Sequence, residues 1–201
     1  MKIHTSKVEL KHLFISWIAI SYAFTIADYS LQILFINPMR LLAPFIISLF
    51  TVGTGFLFHE LAHKSAAQKY GCWAEYRMDL AMLFFAVLLA SFTGVVFAAP
   101  GAVYISSYYL TKKENGKISL AGPLANLILA IFFLAIAFSS RGLLKTIATS
   151  GLIVNTWLAA FNLIPFGPLD GKKVWDWSKT IYLTVAIIAF GSMAFIIALL
   201  I

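Results

Sequence analysis

Two histidines four residues apart, with a glutamate beside the first, stand at the end of an apolar run: His59-Glu60-Leu61-Ala62-His63. The run 41 to 58 contains Gly53 and Gly55 but no late proline, and it reads as a helix continuing to about Tyr70. On a helix, positions i and i+4 share a face. Two imidazoles there can bind one zinc ion, and the neighbouring glutamate can accept a proton from water at that metal. The bland alternative makes His59 and His63 interfacial histidines and Glu60 a solvated helix-end charge. Cost argues against it, because ionisable groups at the end of an apolar helix are expensive in lipid and usually face a cavity or a partner.

A catalytic zinc normally keeps three protein ligands and an open position, so a third ligand is needed from a small set of acids. Asp170 is the best placed. It lies in the segment Asn162-Leu163-Ile164-Pro165-Phe166-Gly167-Pro168-Leu169-Asp170-Gly171, whose two prolines and two glycines end a hydrophobic helix and hold an extended turn. A carboxylate on such a turn can point back toward the apolar interior.

The elements that must position these residues belong to a membrane protein. Of 201 residues, 61% are hydrophobic and 11% charged, against about 45–50% and 25% in ordinary soluble domains. Apolar runs occupy 13 to 36, 41 to 58, 80 to 110, 118 to 138, 146 to 166 and 180 to 201, and several reach the roughly 20 residues of a spanning helix. The expected fold is therefore an all-α polytopic membrane protein with about five spanning helices. The piece 80 to 110 is too long for one untilted span and too short for two full helices with a turn. It is expected to be re-entrant, interrupted at Gly94, Pro100 and Gly101, with room for short β-strands. No repeat or appended soluble domain is visible, and 1–201 reads as a single domain.

Charge placement supports re-entry. With the N-terminus cytoplasmic and 80 to 110 returning to its own side, Lys2, Lys7, Lys11, Lys64, Lys69, Arg77, Lys112, Lys113, Lys117, Lys172, Lys173 and Lys179 lie inside, twelve of fifteen basic residues. Only Arg40, Arg141 and Lys145 lie outside. A single crossing would leave eight inside and seven outside, a weaker positive-inside bias. Re-entry also puts His59, His63 and Asp170 on one side of the membrane, whereas single crossing would separate them. The formal net charge of +7 is thus read as topology, and no nucleic-acid-binding stretch is seen.

The motif His59 to His63 together with Asn162 to Gly171 resembles the site-2 protease family of intramembrane zinc metalloproteases. The likeness includes Ala121-Gly122-Pro123-Leu124-Ala125-Asn126, similar to the family's Gly-Pro-x-x-Asn helix start, and spans about 41 to 171. Residues 13–36 and 180–201 would be additional helices. The resemblance implies one Zn2+ per chain on His59, His63 and Asp170, with Glu60 as general base and Asn126 and Asn162 near the substrate backbone. It also implies regulated cleavage of a transmembrane segment in a membrane-protein substrate, near the cytosolic end of the active-site helix. No PDZ or paired CBS module is expected.

Other polar residues carry less. Asn155 reads as an ordinary helix-packing asparagine, His4 and His12 as surface residues, and Cys72 as an incidental thiol. Asp28 is assigned no chemistry. A metal transporter is the rival reading, but it needs polar sites along a path, and here the ionisable groups gather at one end. An inactive scaffold is disfavoured by an intact Glu60.

The topology yields a measurable expectation. In a Cys72-free background, single cysteines in 111–117 should be labelled from the cytoplasmic side. Labelling from outside would remove both the re-entrant segment and the shared metal site.

Overall fold

The computed structural model describes residues 4–28, 37–96, 100–106 and 110–200, with backbone alone at 28 and 200. In chain order the elements are α1 Lys7–Asp28, α2 Pro38–Lys69, β1 Trp73–Met78, α3 Leu80–Thr93, β2 Gly101–Ser106, α4 Lys112–Ser139, α5 Gly142–Asn162, α6 Asp170–Trp177 and α7 Lys179–Leu200. Among the described residues, α1, α2, α4, α5 and α7 are long and apolar enough to cross a membrane. Their outer faces carry large apolar side chains such as Phe50, Ile128, Phe138 and Ile187, as expected of helices whose surroundings are hydrocarbon. The bundle is an all-α polytopic membrane fold with one small sheet.

The segment 80 to 110 folds as expected where it is described; its residues 97–99 and 107–109, like 29–36 of the first apolar run, lie outside the described residues. Asp79 caps α3 by accepting from the Met82 amide (3.0 Å), and the helix stops at Gly94. The Asp79 amide donates to the Pro100 carbonyl (2.9 Å), so the chain leaves and returns at one place. From there β2 runs antiparallel to β1, paired from Met78↔Gly101 to Trp73↔Ser106.

That pairing corrects one expectation. Room for strands is read only within 80 to 110, yet Trp73–Met78, just after α2 ends at Lys69, is the other strand of the sheet. Its charges are used internally. Glu75 pairs with Arg77, and the buried Tyr76 donates its hydroxyl to Ser16 Oγ (2.9 Å). A second correction concerns α4. The Gly122-Pro123 pair lies inside this helix, not at its start, because the helix begins earlier at a capping box in which Thr111 and Glu114 satisfy each other's backbone amides.

Helix α1, expected as an addition, is anchored inside the bundle. Glu9 is 0% exposed and Lys64 1%; they form an ion pair, Lys64 Nζ also donates to Thr5 Oγ1 (2.9 Å), and Glu9 accepts from the Tyr76 amide (3.0 Å). One carboxylate thus ties α1, α2 and β1 together. Higher up, the Trp17 indole donates to the Leu49 carbonyl (3.0 Å), at the start of a π-helical stretch, Leu49–Gly53, within α2.

Removing one member of a buried pair leaves an uncompensated charge, which costs about 3–5 kcal/mol. Glu9→Ala should therefore lower the thermal midpoint of the detergent-solubilised protein markedly, while Glu9→Met combined with Lys64→Met should recover much of the loss.

Candidate metal centre

The metal-ligand candidates come from two helices and a turn. The C-terminal half of α2 places His59 and His63 on one face, with their Nε2 atoms 3.0 Å apart. Asp170 is the first residue of α6, reached from α5 through the turn that holds Pro165, Gly167 and Pro168. Its Oδ2 lies 3.2 Å from His59 Nε2 and 3.0 Å from His63 Nε2. The residue after it must be small: a Cβ on Gly171 would stand 2.2 Å from the Leu163 carbonyl oxygen, so glycine lets α6 start against the end of α5.

The proton positions follow from what each ring touches. His63 Nδ1 faces the Ile118 carbonyl (2.7 Å), which can only accept, so Nδ1 carries hydrogen. His59 Nδ1 faces Asn126 Oδ1 (2.7 Å), and Asn126 Nδ2 donates to the Gly55 carbonyl (3.0 Å) and to Asn155 Oδ1 (3.1 Å). Neutral imidazoles so bound present bare Nε2 lone pairs. Two such nitrogens and a carboxylate oxygen at this separation repel one another unless a positive charge sits between them.

A tetrahedral zinc with bonds of about 2.0–2.1 Å requires ligand atoms roughly 3.3–3.4 Å apart, close to the spacing found. The space for it is provided by α4: a Cβ on Gly122 would come within 2.4 Å of His63 Nε2 and 2.6 Å of His59 Nε2. Both the donor set and the cradle fit zinc. Among the described residues, His59, His63 and Asp170 are the group that could hold a metal ion.

Glu60 is buried on the same helix and lines, with these three residues, a cavity of about 170 Å3. Asn126 and Asn162 border the same space. All six residues expected from sequence are therefore together. Their settings differ: Asn126 is 0% exposed and gives both amide hydrogens to protein acceptors, while Asn162 turns its nitrogen back to the Leu158 carbonyl (2.9 Å). Pro100, Gly101, Ala102, Val103 and Ile105 form a wall from the start of β2.

Two participants escaped the sequence reading. Asn155 was taken as ordinary packing, although it lies seven residues before Asn162, hence on the same helix face. Gly122 was noticed within a motif but given no role, because what a missing Cβ admits is visible only once α4 is laid against α2.

Membrane helices around a histidine–carboxylate zinc centre define a membrane metalloprotein, and comparison with known proteins narrows the class. Peptidase family M50 matches residues 45–150. The chain is 42% identical over 192 residues to "Putative zinc metalloprotease MJ0611" of Methanocaldococcus jannaschii, covering 94% of this chain and 95% of that protein. It is 30% identical over 155 residues to "Putative zinc metalloprotease YwhC" of Bacillus subtilis, covering 68% of this chain and 69% of the relative. No solved structure gives a significant match. The chain belongs to peptidase family M50, the site-2 protease family of zinc metalloproteases, and zinc is its cofactor.

The cradle gives a direct test. Gly122→Ala places a methyl group where the metal must sit, so zinc in the purified protein should fall from about one per chain to near zero, as read by elemental analysis. Wild-type zinc content in this variant would show that the metal lies elsewhere.

Proposed function

We propose that this protein hydrolyses peptide bonds within transmembrane segments of other membrane proteins, with His59, His63 and Asp170 holding zinc and Glu60 as the general base. The observation that carries the proposal is the convergence of three lone-pair donors and a buried carboxylate on one cavity at the end of a membrane-length helix. The N-terminus and the segments 64 to 79, 111 to 117 and 171 to 179 are assigned to the cytoplasmic side, which puts cleavage near that face.

Bound zinc supplies Lewis-acid polarisation of the scissile carbonyl and makes water more acidic. The chain's own groups do the rest. Glu60 accepts the proton of the attacking water and returns it to the leaving amine. Asn126 acts through His59, whose ring it orients, and Asn162 stands at the cavity wall where a substrate backbone would pass. A transmembrane helix offers no free carbonyl, so the substrate must unwind before attack. Among the described residues β2 has one strand neighbour, β1, and its residues line the cavity. An unwound segment can add to β2 as a strand and have its backbone satisfied there.

Glu60→Gln separates chemistry from binding. Glutamine keeps size and hydrogen bonding but takes no proton, and general-base assistance contributes about 10²- to 10⁴-fold. The variant should keep wild-type zinc while its cleavage of a reconstituted substrate with a helix-destabilised transmembrane segment falls toward the upper end of that range. A chelator should abolish wild-type cleavage. Equal cleavage by both proteins would refute the role of Glu60.

A further inference from the structure

Asn155 lies on α5, in a helix that contributes no zinc ligand, and it is 0% exposed. Its amide nitrogen donates to the Gly151 carbonyl one turn earlier (2.9 Å). A carbonyl can only accept, so this contact fixes which end of the Asn155 amide is nitrogen. The oxygen must then face Asn126, 3.1 Å away. Asn126 in turn meets two acceptors on one side, Asn155 Oδ1 and the Gly55 carbonyl, and must turn its nitrogen to both. Its oxygen is left for His59 Nδ1. Each step is forced by a group with a single possible role, and the sequence ends on the imidazole whose other nitrogen faces the metal position.

We propose that Asn155 is a positioning residue that sets the tautomer of His59: through Asn126 it keeps hydrogen on Nδ1 and leaves Nε2 bare for zinc. The proposal rests on the zinc-site reading above and adds to it a residue outside the ligand set. Without the acceptor at 155, the Asn126 amide loses one of the two contacts that hold its orientation. The flipped amide presents NH2 to His59, the ring answers by moving its hydrogen to Nε2, and that nitrogen no longer has a lone pair for the metal. Gly55 alone would then have to hold the amide. Outer partners of metal-bound histidines typically contribute 10- to 100-fold in metal affinity.

The test is zinc affinity, measured by chelator competition on the detergent-solubilised full chain. Asn155→Leu, which keeps the volume and removes the polar contacts, should bind zinc about 10- to 100-fold more weakly than wild type. Asn155→Asp should restore most of the loss, because a protonated acid can donate to Gly151 and still accept from Asn126. Wild-type affinity in the leucine variant, or equal weakness in the leucine and aspartate variants, would overturn the proposal; the second result would make the role one of packing. A wild-type protein that binds no zinc would sink the underlying metal-site reading instead. Should the leucine variant fail to fold, imidazole 15N spectra of the metal-free wild type, with His59 assigned by its loss in His59→Ala, decide the matter. Hydrogen on Nδ1 of neutral His59 supports the proposal, and hydrogen on Nε2 overturns it.

Discussion

Repulsion among His59 Nε2, His63 Nε2 and Asp170 Oδ2, held at 3.0–3.2 Å, is the constraint around which the rest of this bundle is arranged. Three electron-rich atoms do not stay so close unless a cation relieves them or the surrounding structure holds them. Here the holding comes from four directions. Helix α2 supplies both imidazoles, α4 receives their Nδ1 hydrogens at Ile118 and Asn126, α5 steadies Asn126 through Asn155, and α6 begins on the carboxylate. Two close approaches around the site fall at glycines, Gly122 between α4 and the imidazoles and Gly171 between α6 and the end of α5. Polar satisfaction and close packing therefore serve the same end: holding the three ligand-type atoms close together.

The distribution of polarity follows from the solvent. Lipid offers no hydrogen-bond partner, so polar groups in the spanning helices must be paired inside the protein. Asn126, Asn155, Glu9 and Lys64 are all buried and paired, while phenylalanines and isoleucines cover the outside. The Glu9–Lys64 pair shows why α1 is part of this arrangement. Lys64 directly follows His63 in α2, and it is held by a residue of α1 that also binds the backbone of β1. The strand that backs the cavity wall and the helix that carries the histidines are thereby fixed to each other from a third element.

What the sequence made legible was local. The i, i+4 histidines predict their own shared face, the two prolines and two glycines around Asp170 predict a turn, and the length of 80 to 110 with its glycines and Pro100 predicts an out-and-back path. Charge counting added the one long-range inference, that Asp170 and the histidines share a side, and their convergence agrees with it. What stayed hidden depends on partners far along the chain. Trp73–Met78 carries Glu75 and Arg77 and looks solvated until Glu9, 67 residues before the Tyr76 amide, accepts from it. The start of α4 was placed too late because Gly122-Pro123 looks like punctuation; within a bundle neighbouring helices tolerate an internal proline, and the Thr111–Glu114 box is the true beginning. Asn155 looked ordinary because its role is visible only through Asn126.

The position of β2 connects the site to the problem that the proposed transmembrane substrate would pose. Unwinding a helix in hydrocarbon exposes amides and carbonyls, each costing several kcal/mol if left without a partner. A hydrolytic site alone would therefore face a substrate whose reactive form is too costly to populate. A strand at the cavity wall changes that balance, since the backbone groups released by unwinding can bond to β2 as they leave the helix. Pairing of β2 with β1 stiffens this wall, and the Asp79 amide bonded to the Pro100 carbonyl holds the entry of β2 at the end of α3. Under the proposed function, the same segment that sequence length marked as unable to cross the membrane cleanly is thus the one that would receive a second unwound chain. Its irregularity is tolerated because it borders the cavity lined by Glu60 and the metal-ligand candidates.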